Sequence, residues 1–422
     1  MYVAPRGTID ILPEDQPYWE FLRSKIGEVT ALFDYQRIDV PIFEETSLYV
    51  RGVGEGTDIV DKEMYSFLDK GGRDITLRPE FTAGIVRAYL QHGMKTRPQP
   101  VKLYTMGPIF RYERVQAGRY RQHTQFDIEC IGEQDPAVDL DVMSVAWELF
   151  TRVGFRGLSY QLNSTGCPRC RPSYLRVLVE YYRQHETEVC EDCRRRLERN
   201  PLRLLDCKVE GCQPIIEAAP RITDYLCDEC AEHLATLRGY LDALERPYTM
   251  NHRLVRGLDY YTKTVFEVWA QGIGAQNAVC GGGRYDGLAE ELGGAPTPGI
   301  GFGSGMERLV LLMKEQEIQV PPLPAPQVAL VTIGQEAKAR ALQLLNDLRE
   351  SGVRAVIGFG DKSLRAQLRG ANRSQVAFAV ILGEEEMAAG QVRIQDMRSD
   401  APPELVPQSE VVSTLANRLA LA

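Results

Sequence analysis

Several features that would assign this chain to a common class are missing from its 422 residues. No run of about 18 apolar residues occurs, so we expect no membrane-spanning helix. The first residues contain no apolar segment followed by a small-residue cleavage site, so we expect a cytoplasmic protein. The chain also has neither a Gly-x-x-x-x-Gly-Lys-Ser/Thr loop nor a strand–Gly-x-Gly-x-x-Gly–helix unit. A bound nucleotide would therefore need another arrangement, such as arginines on strands, whose guanidinium groups match phosphate.

Acidic residues outnumber basic ones overall, but positive charge is concentrated in two places. The net charge of −9 is unfavourable for phosphate contacts, which need Lys and Arg. Residues 111–121, however, hold four Arg against one Glu, and residues 349–373 hold six Lys or Arg against two acids. In the second stretch Lys362, Arg365 and Arg369 follow i, i+3, i+7 spacing, which predicts one helix face. This face is either simply solvated or part of a binding site for a polyanion, because local patches govern binding.

Cysteine is clustered, with eight of the ten between residues 167 and 230. The four pairs are Cys167 and Cys170, Cys190 and Cys193, Cys207 and Cys212, and Cys227 and Cys230. A long chain without a secretion signal favours metal over disulfides. Four thiolates form a tetrahedral zinc site, so eight thiolates suit one or two structural Zn²⁺ ions. The spacing leaves open which pairs combine, and reduced thiols or a disulfide are the alternative.

The order of helical and strand-like patterns predicts two mixed domains. Residues 1–162 and 248–320 form two parts of one domain in this interpretation, and the Cys-rich residues 163–247 are an insertion between them. Prolines in residues 321–326 predict an extended linker. Residues 327–422 alternate strands with helices of about 12 residues, which predicts a small α/β domain.

Two polar stretches lie on predicted strands. Residues 111–122 place arginines between two strands, which suits either a solvated hairpin or phosphate binding. Residues 255–267, VRGLDYYTKTVFE, place a cation, an acid and two tyrosines at the start of a strongly β sequence. Such a group is costly in a strand unless it faces a site.

Together these stretches resemble the histidyl-tRNA synthetase family, nearly from end to end. The resemblance is carried by RGTIDILP at 6–13, PIFEET at 41–46, TLRPE at 76–80, FRYER at 110–114, RGLDYYT at 256–262, GGGRYDG at 281–287 and GFGSGMER at 301–308. RGLDYYT and GGGRYDG are similar to histidyl enzymes in particular. The resemblance implies an α+β fold: a class II catalytic domain on an antiparallel sheet, with the Cys-rich insertion, and a C-terminal α/β anticodon-binding domain.

The function implied by this resemblance is that of a histidine–tRNA ligase. Such an enzyme activates L-histidine with ATP and Mg²⁺ to histidyl-adenylate, and then transfers histidine to the 3′ end of tRNA(His). A homodimer is implied, with residues 41–46 at its interface. The alternative is the histidine-sensing regulatory subunit of ATP phosphoribosyltransferase, which resembles the catalytic domain. That protein typically lacks the anticodon domain and degrades the stretch at Arg256, and this chain keeps both.

The resemblance also implies the residues that act on ATP. Arg111 and Arg256 are the predicted catalytic residues: Arg111 binds the α-phosphate, and Arg256 approaches it from the amino-acid side. Glu113 is expected to accept a hydrogen bond from the adenine amino group. Arg308 is expected to stack on adenine or to hold the γ-phosphate. No protein ligand of Mg²⁺ is predicted.

The histidine-binding residues implied by the family fall into two groups. They are Glu80, Thr82, Gln125 and Arg256 at the ammonium and carboxylate end, and Glu129, Tyr260, Tyr261 and Tyr285 around the imidazole. Polar partners for both ring nitrogens would reject apolar isosteres. Core packing is the alternative explanation for the tyrosines.

For tRNA, the loop at 116–121 resembles the segment that contacts the extra 5′ guanosine of histidine tRNA, with Gln116 and Arg121 as the predicted contacts. The basic helix face described above is a candidate for the anticodon stem. Phe81 departs from the family, which usually has glycine after TLRPE. Glycine is often required where φ is positive or a ligand approaches the backbone, so either the backbone here is extended and tolerates Phe81, or the loop near Glu80 is altered.

Overall fold

The computed structural model describes residues 2–54, 57, 59–116, 118–272, 278–360, 362–399 and 401–420. The chain forms two compact units, Met1–Pro321 and Pro322–Ala422. The boundary lies at the predicted proline-rich linker, while the finer division of the first unit stays a prediction. Within the described ranges, no helix is both long and apolar enough to cross a membrane.

The first unit is built on an eight-stranded sheet. The strands of this unit are β1 (Gln36–Arg37), β2 (Phe43–Glu45), β3 (Tyr65–Leu68), β4 (Asp74–Leu77), β5 (Val101–Phe110), β6 (Gln122–Ile131), β7 (Ser159–Ser164), β8 (Tyr248–Met250), β9 (Thr262–Trp269), β10 (Ala278–Arg284) and β11 (Gly299–Gly305). The large sheet has the order β1-β5-β6-β11-β10-β9-β7-β8, and β2, β4 and β3 form a second, smaller sheet. Only the outermost pairs of the large sheet, β1 with β5 and β7 with β8, are parallel.

Ten α-helices of the described residues accompany these strands. They are α1 (Gln16–Leu32), α2 (Thr46–Val53), α3 (Thr82–Gln91), α4 (Pro136–Val153), α5 (Arg171–Gln184), α6 (Glu191–Arg199), α7 (Gln213–Glu217), α8 (Asp228–Ala243), α9 (Leu288–Glu291) and α10 (Met306–Glu315). Helix α4 shows why the sequence sets these bounds. Asp135 accepts a hydrogen bond from the Ala137 amide at the helix start, and Gly154 takes a φ of +99° at the end, as expected for an N-cap and a C-terminal glycine.

The side chains of strand β6 alternate between an apolar face and a polar face of the sheet. Phe126 and Ile128 point into a core that also includes side chains of α1, α4, α8 and α10. Gln125, Asp127 and Glu129 alternate with them and therefore point to the other face. This polar face is also covered in part by α3.

A buried polar network ties helix α8 of the insertion to the sheet. Arg284 is fully buried and donates from Nε to Asp139 Oδ1 at 2.6 Å. The other oxygen of Asp139 accepts from Thr264 Oγ1 at 2.6 Å and lies 2.7 Å from His233 Nε2 of α8. Because the buried guanidinium is paired with a buried carboxylate, Arg284 has a structural role in GGGRYDG.

The second unit is a five-stranded sheet with helices, as predicted. Its elements are β12 (Val328–Thr332), α11 (Gln335–Glu350), β13 (Ala355–Ile357), α12 (Leu364–Arg373), β14 (Phe378–Leu382), α13 (Glu384–Ala388), β15 (Gln391–Asp396), β16 (Glu404–Pro407) and α14 (Val411–Ala420). The strand order is β13-β12-β14-β15-β16.

One prediction for this unit is wrong. Helix α12 begins only after Ser363, whose φ of −59° and ψ of 152° are extended. Lys362 therefore lies before the helix and does not share a helix face with Arg365 and Arg369. Those two arginines, at i and i+4, remain on one face.

Candidate active site

The polar face of β6 lies beside glycines of β11. Gly301 is paired with Glu129, and Gly303 with Asp127. A Cβ on Gly301 would lie 2.0 Å from Glu129 Oε2, and a Cβ on Gly303 would lie 2.5 Å from Gln125 Nε2. Glycine is therefore required at both positions, because side chains of β6 extend across the neighbouring strand. The sequence indicated the glycine density but not this purpose.

Arg256 lies across the next strand, β10. A Cβ on Gly281 of β10 would lie 2.3 Å from Arg256 Nη1. The same Nη1 donates to Glu267 Oε1 of β9 at 2.9 Å, and Glu267 Oε2 accepts from Trp269 Nε1 at 2.9 Å. Since Gly281 is paired with Gly303, Arg256 and the β6 side chains occupy adjacent strands on one face.

Arg111 lies at the same face of the sheet, with the polar side chains of β6 between it and Arg256. It directly follows β5, and its Nε donates to the Pro79 carbonyl at 2.7 Å. Its charge acts on two buried carboxyl groups: it lowers the pKa of Glu80 and of Asp127, although burial has the larger effect and raises both pKa values. Arg111 and Arg256, 145 positions apart in the sequence, therefore flank the polar side chains of β6 on one face.

Glu80 caps helix α3. Its fully buried carboxylate accepts from the backbone amides of Thr82 at 2.7 Å and Ala83 at 2.9 Å. Phe81 has φ −102° and ψ −31°, and its ring is buried 4.3 Å from the Arg78 guanidinium. Because φ is negative, this position does not require glycine. The backbone thus tolerates Phe81 as the first of the two expectations has it, but it is helical at this residue and not extended.

Glu129 is the centre of the predicted imidazole pocket. It accepts from Thr82 Oγ1 at 2.6 Å and from the Tyr285 hydroxyl at 2.5 Å. Burial raises the pKa of Glu129 well above its ordinary value. The rings of Tyr260 and Tyr261 lie 4.7 Å apart, and those of Tyr260 and Tyr285 lie 5.9 Å apart. The structure therefore brings this group of predicted residues together.

Asp127 is a site residue that the sequence interpretation missed. Its Oδ2 accepts from Gln125 Nε2 at 2.9 Å, while its buried Oδ1 has no hydrogen-bond partner within the described part of the chain. Burial raises the pKa of Asp127 to about 8, and the charge of Glu80 adds to this effect. The signal was available, because in a strand the residue between Gln125 and Glu129 at i+2 shares their face.

The hairpin after β5 holds the remaining predicted nucleotide and tRNA contacts. Glu113 lies 3.5 Å from Arg119 Nη1. Gln116 and Arg119 exchange backbone hydrogen bonds of 3.3 and 2.9 Å, and Ala117 between them is outside the described residues. A Cβ on Gly118 would lie 3.9 Å from Arg308 Cβ, so Arg308 in the first turn of α10 is beside this hairpin.

Arg121 is held at the end of the same hairpin. Its guanidinium lies 3.5 Å from the ring centroid of Tyr112, which is a cation–π contact. Its backbone amide donates to the Gly7 carbonyl at 2.7 Å. The RGTIDILP start of the chain thus supports the predicted tRNA contact.

The eight clustered cysteines form two groups of four. We name Cys167, Cys170, Cys227 and Cys230 the first cluster, and Cys190, Cys193, Cys207 and Cys212 the second cluster. In each cluster all sulfur atoms lie within 4.8 Å of one another. Measured separations are 3.7 Å for Cys167–Cys170 and Cys167–Cys227, 3.9 Å for Cys170–Cys230 and 3.8 Å for Cys190–Cys207.

These separations fit a metal better than a disulfide. A tetrahedron with Zn–S bonds of about 2.3 Å has S···S edges of about 3.8 Å, whereas a disulfide needs about 2.05 Å. All ten cysteines are free. The sequence left open which cysteine pairs lie together. In the structure the first and last pairs along the chain form one cluster, and the two middle pairs form the other.

The sheet order, the arginines on its polar face and the separate α/β unit agree with the class II aminoacyl-tRNA synthetases that the motifs predicted. Residues 7–309 match the family model described as histidyl-tRNA synthetase, and residues 327–418 match an anticodon binding domain. The chain belongs to the histidyl-tRNA synthetase family. The predicted family, fold class and enzyme class are thereby confirmed.

Individual relatives agree over the whole length. The histidine–tRNA ligase of Dehalococcoides mccartyi strain 195 is 51% identical, covering 99% of this chain and 100% of that protein. The histidine–tRNA ligase of Desulforamulus reducens is 49% identical, covering 95% and 96%. The apo crystal structure of Staphylococcus aureus histidyl-tRNA synthetase is 37% identical with a TM-score of 0.81, covering 98% of this chain and 100% of that one.

Proposed function

We propose that this chain activates L-histidine with ATP and Mg²⁺ and transfers the histidyl group to the 3′ end of tRNA(His). Family membership over nearly the full length supports the overall reaction. The observation that carries the mechanism is the position of Arg111 and Arg256 on either side of the β6 carboxylates, on one face of one sheet.

In the activation step, a carboxylate oxygen of histidine forms a bond to the α-phosphorus of ATP, and the bond to diphosphate breaks. The protein contributes mainly positioning and charge stabilisation in such a reaction. Arg111 binds the α-phosphate from the β5 side, and Arg256 orients the histidine carboxylate and stabilises the crowded phosphorus from the β10 side. Mg²⁺ accompanies ATP and offsets phosphate charge.

The adenine end of ATP lies toward the hairpin after β5 in this proposal. Glu113 accepts a hydrogen bond from the adenine amino group, and Arg308 stacks on adenine or holds the γ-phosphate. Glu113 lies within 4 Å of Arg111 and Arg119. ATP would therefore compete with existing ion pairs of the hairpin.

Histidine is recognised at both ends. Glu129, held between Thr82 and Tyr285, accepts from one imidazole nitrogen, with Tyr260 and Tyr261 beside the ring. The ammonium group is bound by Gln125, Glu80 and Thr82. The two Glu80 oxygens already accept from α3 amides, but each carboxylate oxygen can accept a further hydrogen bond.

The tRNA contacts are Gln116 and Arg121 at the acceptor end, and the face of Arg365 and Arg369 at the anticodon stem. We also propose a cytoplasmic homodimer. The support for a dimer is a set of large apolar side chains that are exposed on the small sheet and on the segment before it, as expected of an interaction surface. They are Ile42 (45% exposed), Phe43 (55%), Phe67 (48%) and Leu68 (69%).

A further part of the proposal is that each Cys cluster binds one structural Zn²⁺. Metal analysis of protein purified without chelator should give two zinc ions per chain. A folded, zinc-free protein would contradict this part alone.

The reaction is tested by histidine-dependent exchange between ATP and diphosphate, followed by charging of tRNA(His). We expect both activities from the dimeric protein. A folded dimer that binds histidine but supports no exchange would favour the regulatory subunit of ATP phosphoribosyltransferase instead. A related structure, the ATP phosphoribosyltransferase regulatory subunit/histidyl-tRNA synthetase of Bacillus halodurans C, shares only the fold at 21% identity and a TM-score of 0.63.

A further inference from the structure

We propose that the two zinc-loaded Cys clusters clamp both ends of the segment 253–263, which carries Arg256 and Tyr261, so that zinc loading controls histidine activation. This inference rests on the proposed ligase activity and on the proposed zinc binding. It goes beyond both, because it assigns the Cys-rich insertion a role in positioning residues of the active site.

The first cluster is attached to the end of this segment. The amide of Lys263 donates to the Gly166 carbonyl at 2.8 Å, and Gly166 directly precedes the first cysteine of the cluster. Lys263 Nζ lies 2.9 Å from Glu229 Oε1, and Glu229 stands between the last two cysteines. Arg171, which follows a cysteine of this cluster, donates from Nη2 to the Tyr261 carbonyl. Both Cys-x-x-Cys turns of the cluster therefore contact the start of β9.

The second cluster is attached to the segment at two points, at its beginning and after Arg256. Asn200 follows α6, the helix that begins at this cluster, and its Nδ2 donates to Asp259 Oδ1 at 2.8 Å. Gln213, which directly follows a cysteine of the cluster, accepts from Arg253 Nη2. Arg256 lies between these two attachment points.

Val255 of the segment packs against the apolar core of the insertion. Beside this contact, a cavity of about 270 Å³ is lined by Arg171, Asn200, Arg256, Asp259 and Tyr261, among others. The hydrogen bonds from Asn200 and Arg171 to the segment lie at this cavity and add to the apolar contact. Those bonds can hold Arg256 in place only if the insertion loops that carry them are themselves fixed. A metal that crosslinks four thiolates in each cluster supplies that rigidity.

The decisive variant is Asn200→Ala, which breaks one link and leaves all eight cysteines intact. We expect two zinc ions per chain and unchanged thermal unfolding. In the exchange assay, kcat/KM for histidine should fall roughly tenfold, as expected for one lost hydrogen bond to a charged group. The KM for ATP should stay within about twofold, since Arg111 and the hairpin are not attached to this link. Glu198→Ala, an exposed change on α6 two residues before Asn200, is the control and should behave as wild type.

Rescue separates a positioning role from a general structural one. Asn200→Asp combined with Asp259→Asn restores a donor and an acceptor with their positions exchanged. We expect this pair to recover most of kcat/KM for histidine, whereas Asn200→Asp alone should be worse than Asn200→Ala because it places two carboxylates together.

The role of the metal in the second cluster is tested with the double variant Cys207→Ser and Cys212→Ser. We expect one zinc ion to remain, and a loss of kcat/KM for histidine at least as large as that of Asn200→Ala. Adding Asn200→Ala to this variant should cause no further loss, because the link is already lost. Amide hydrogen exchange of residues 255–261 should increase in both variants, which gives a measurement independent of activity.

Wild-type kinetics in Asn200→Ala would overturn the inference, whatever the folding of the Cys variants. An active wild-type protein without zinc would overturn it as well. An inactive wild-type protein with two zinc ions would instead contradict the proposed ligase activity, so the two failures are distinguishable.

Discussion

The two faces of strands β6, β10 and β11 are built on opposite principles. On one face, large apolar side chains such as Phe126 and Phe302 pack edge to face at 5.8 Å and remove hydrocarbon from water. On the other face, glycines leave space, and polar side chains with unfavourable burial lie across them. The same strands therefore provide stability on one face and chemistry on the other. Substitutions should separate the two properties according to the face that they alter.

The largest effect is expected for Arg256→Ala on the polar face. Exchange activity should fall roughly 10²- to 10³-fold, comparable to losing one preorganised donor to a developing charge. The free energy of unfolding should change little. Steady-state exchange and denaturant unfolding of the same preparation measure both, and an unchanged exchange rate would refute the catalytic role of Arg256.

A smaller loss, about tenfold to 10²-fold in exchange, is expected for Gly281→Ala. The added Cβ would lie 2.3 Å from Arg256 Nη1, and the end of that side chain must move away from Glu267. The matched change on the apolar face is Phe302→Leu. It should lower the free energy of unfolding by on the order of 1–2 kcal/mol while exchange stays within about twofold. If both variants lost activity equally, the two faces would not be separable.

Arg121→Ala tests a residue away from Gly281, Gly301 and Gly303, the strip of glycines on the polar face. We expect tRNA charging to fall about tenfold and histidine-dependent exchange to stay near wild type, because the Arg121 guanidinium stacks on Tyr112 rather than facing Asp127. Parallel loss of both reactions would mean that Arg121 supports the ATP site or the fold of the hairpin. Arg114→Ala, on the same hairpin, provides the comparison.

The last effect concerns the pH dependence of stability through Asp127, which is small over any single pH unit. Its pKa is raised from the ordinary value near 4 to about 8 by burial, so the folded state binds more protons than the unfolded state between these values. The free energy of unfolding should therefore fall as pH rises from about 4 to about 8. Asp127→Asn should remove part of this fall, up to roughly 1 kcal/mol per pH unit.

Denaturant unfolding of both proteins at pH 5, 6.5 and 8 measures this contribution. The stability difference between Asp127→Asn and wild type should grow with pH. Parallel curves would mean that Asp127 does not change its protonation in this range. Glu307, whose pKa is also raised by burial, stays intact in both proteins and cancels in the difference.

Local sequence patterns predicted much of the fold. The class of each unit, the α/β strand and helix order of the second unit and the existence of metal-type Cys pairs all follow from nearby residues. The prediction that failed in that unit placed Lys362 on a helix face. Because Ser363 is extended, helix α12 begins at Leu364, two residues after Lys362. Helix bounds are the least determined part of a sequence interpretation.

The site could be predicted only in part, because its geometry depends on contacts between distant segments. Family motifs indicated Arg111 and Arg256, but their common face follows from the register of four strands. The purpose of Gly281 and Gly301 is visible only when the side chains of neighbouring strands are in place. The pairing of Cys167 with Cys227 likewise depends on the path of α5 to α8, which no local spacing encodes.

The strip of glycines has a consequence for how accurately the amino acid is selected. A position without a side chain has no rotamers, so the polar side chains that lie across these glycines rest on peptide groups fixed by ladder hydrogen bonds on both sides. The tolerance of the pocket for a wrong amino acid is then limited by the stiffness of the sheet rather than by a mobile loop. Errors of selection should rise when the sheet is softened from its apolar side, far from any atom that contacts the substrate.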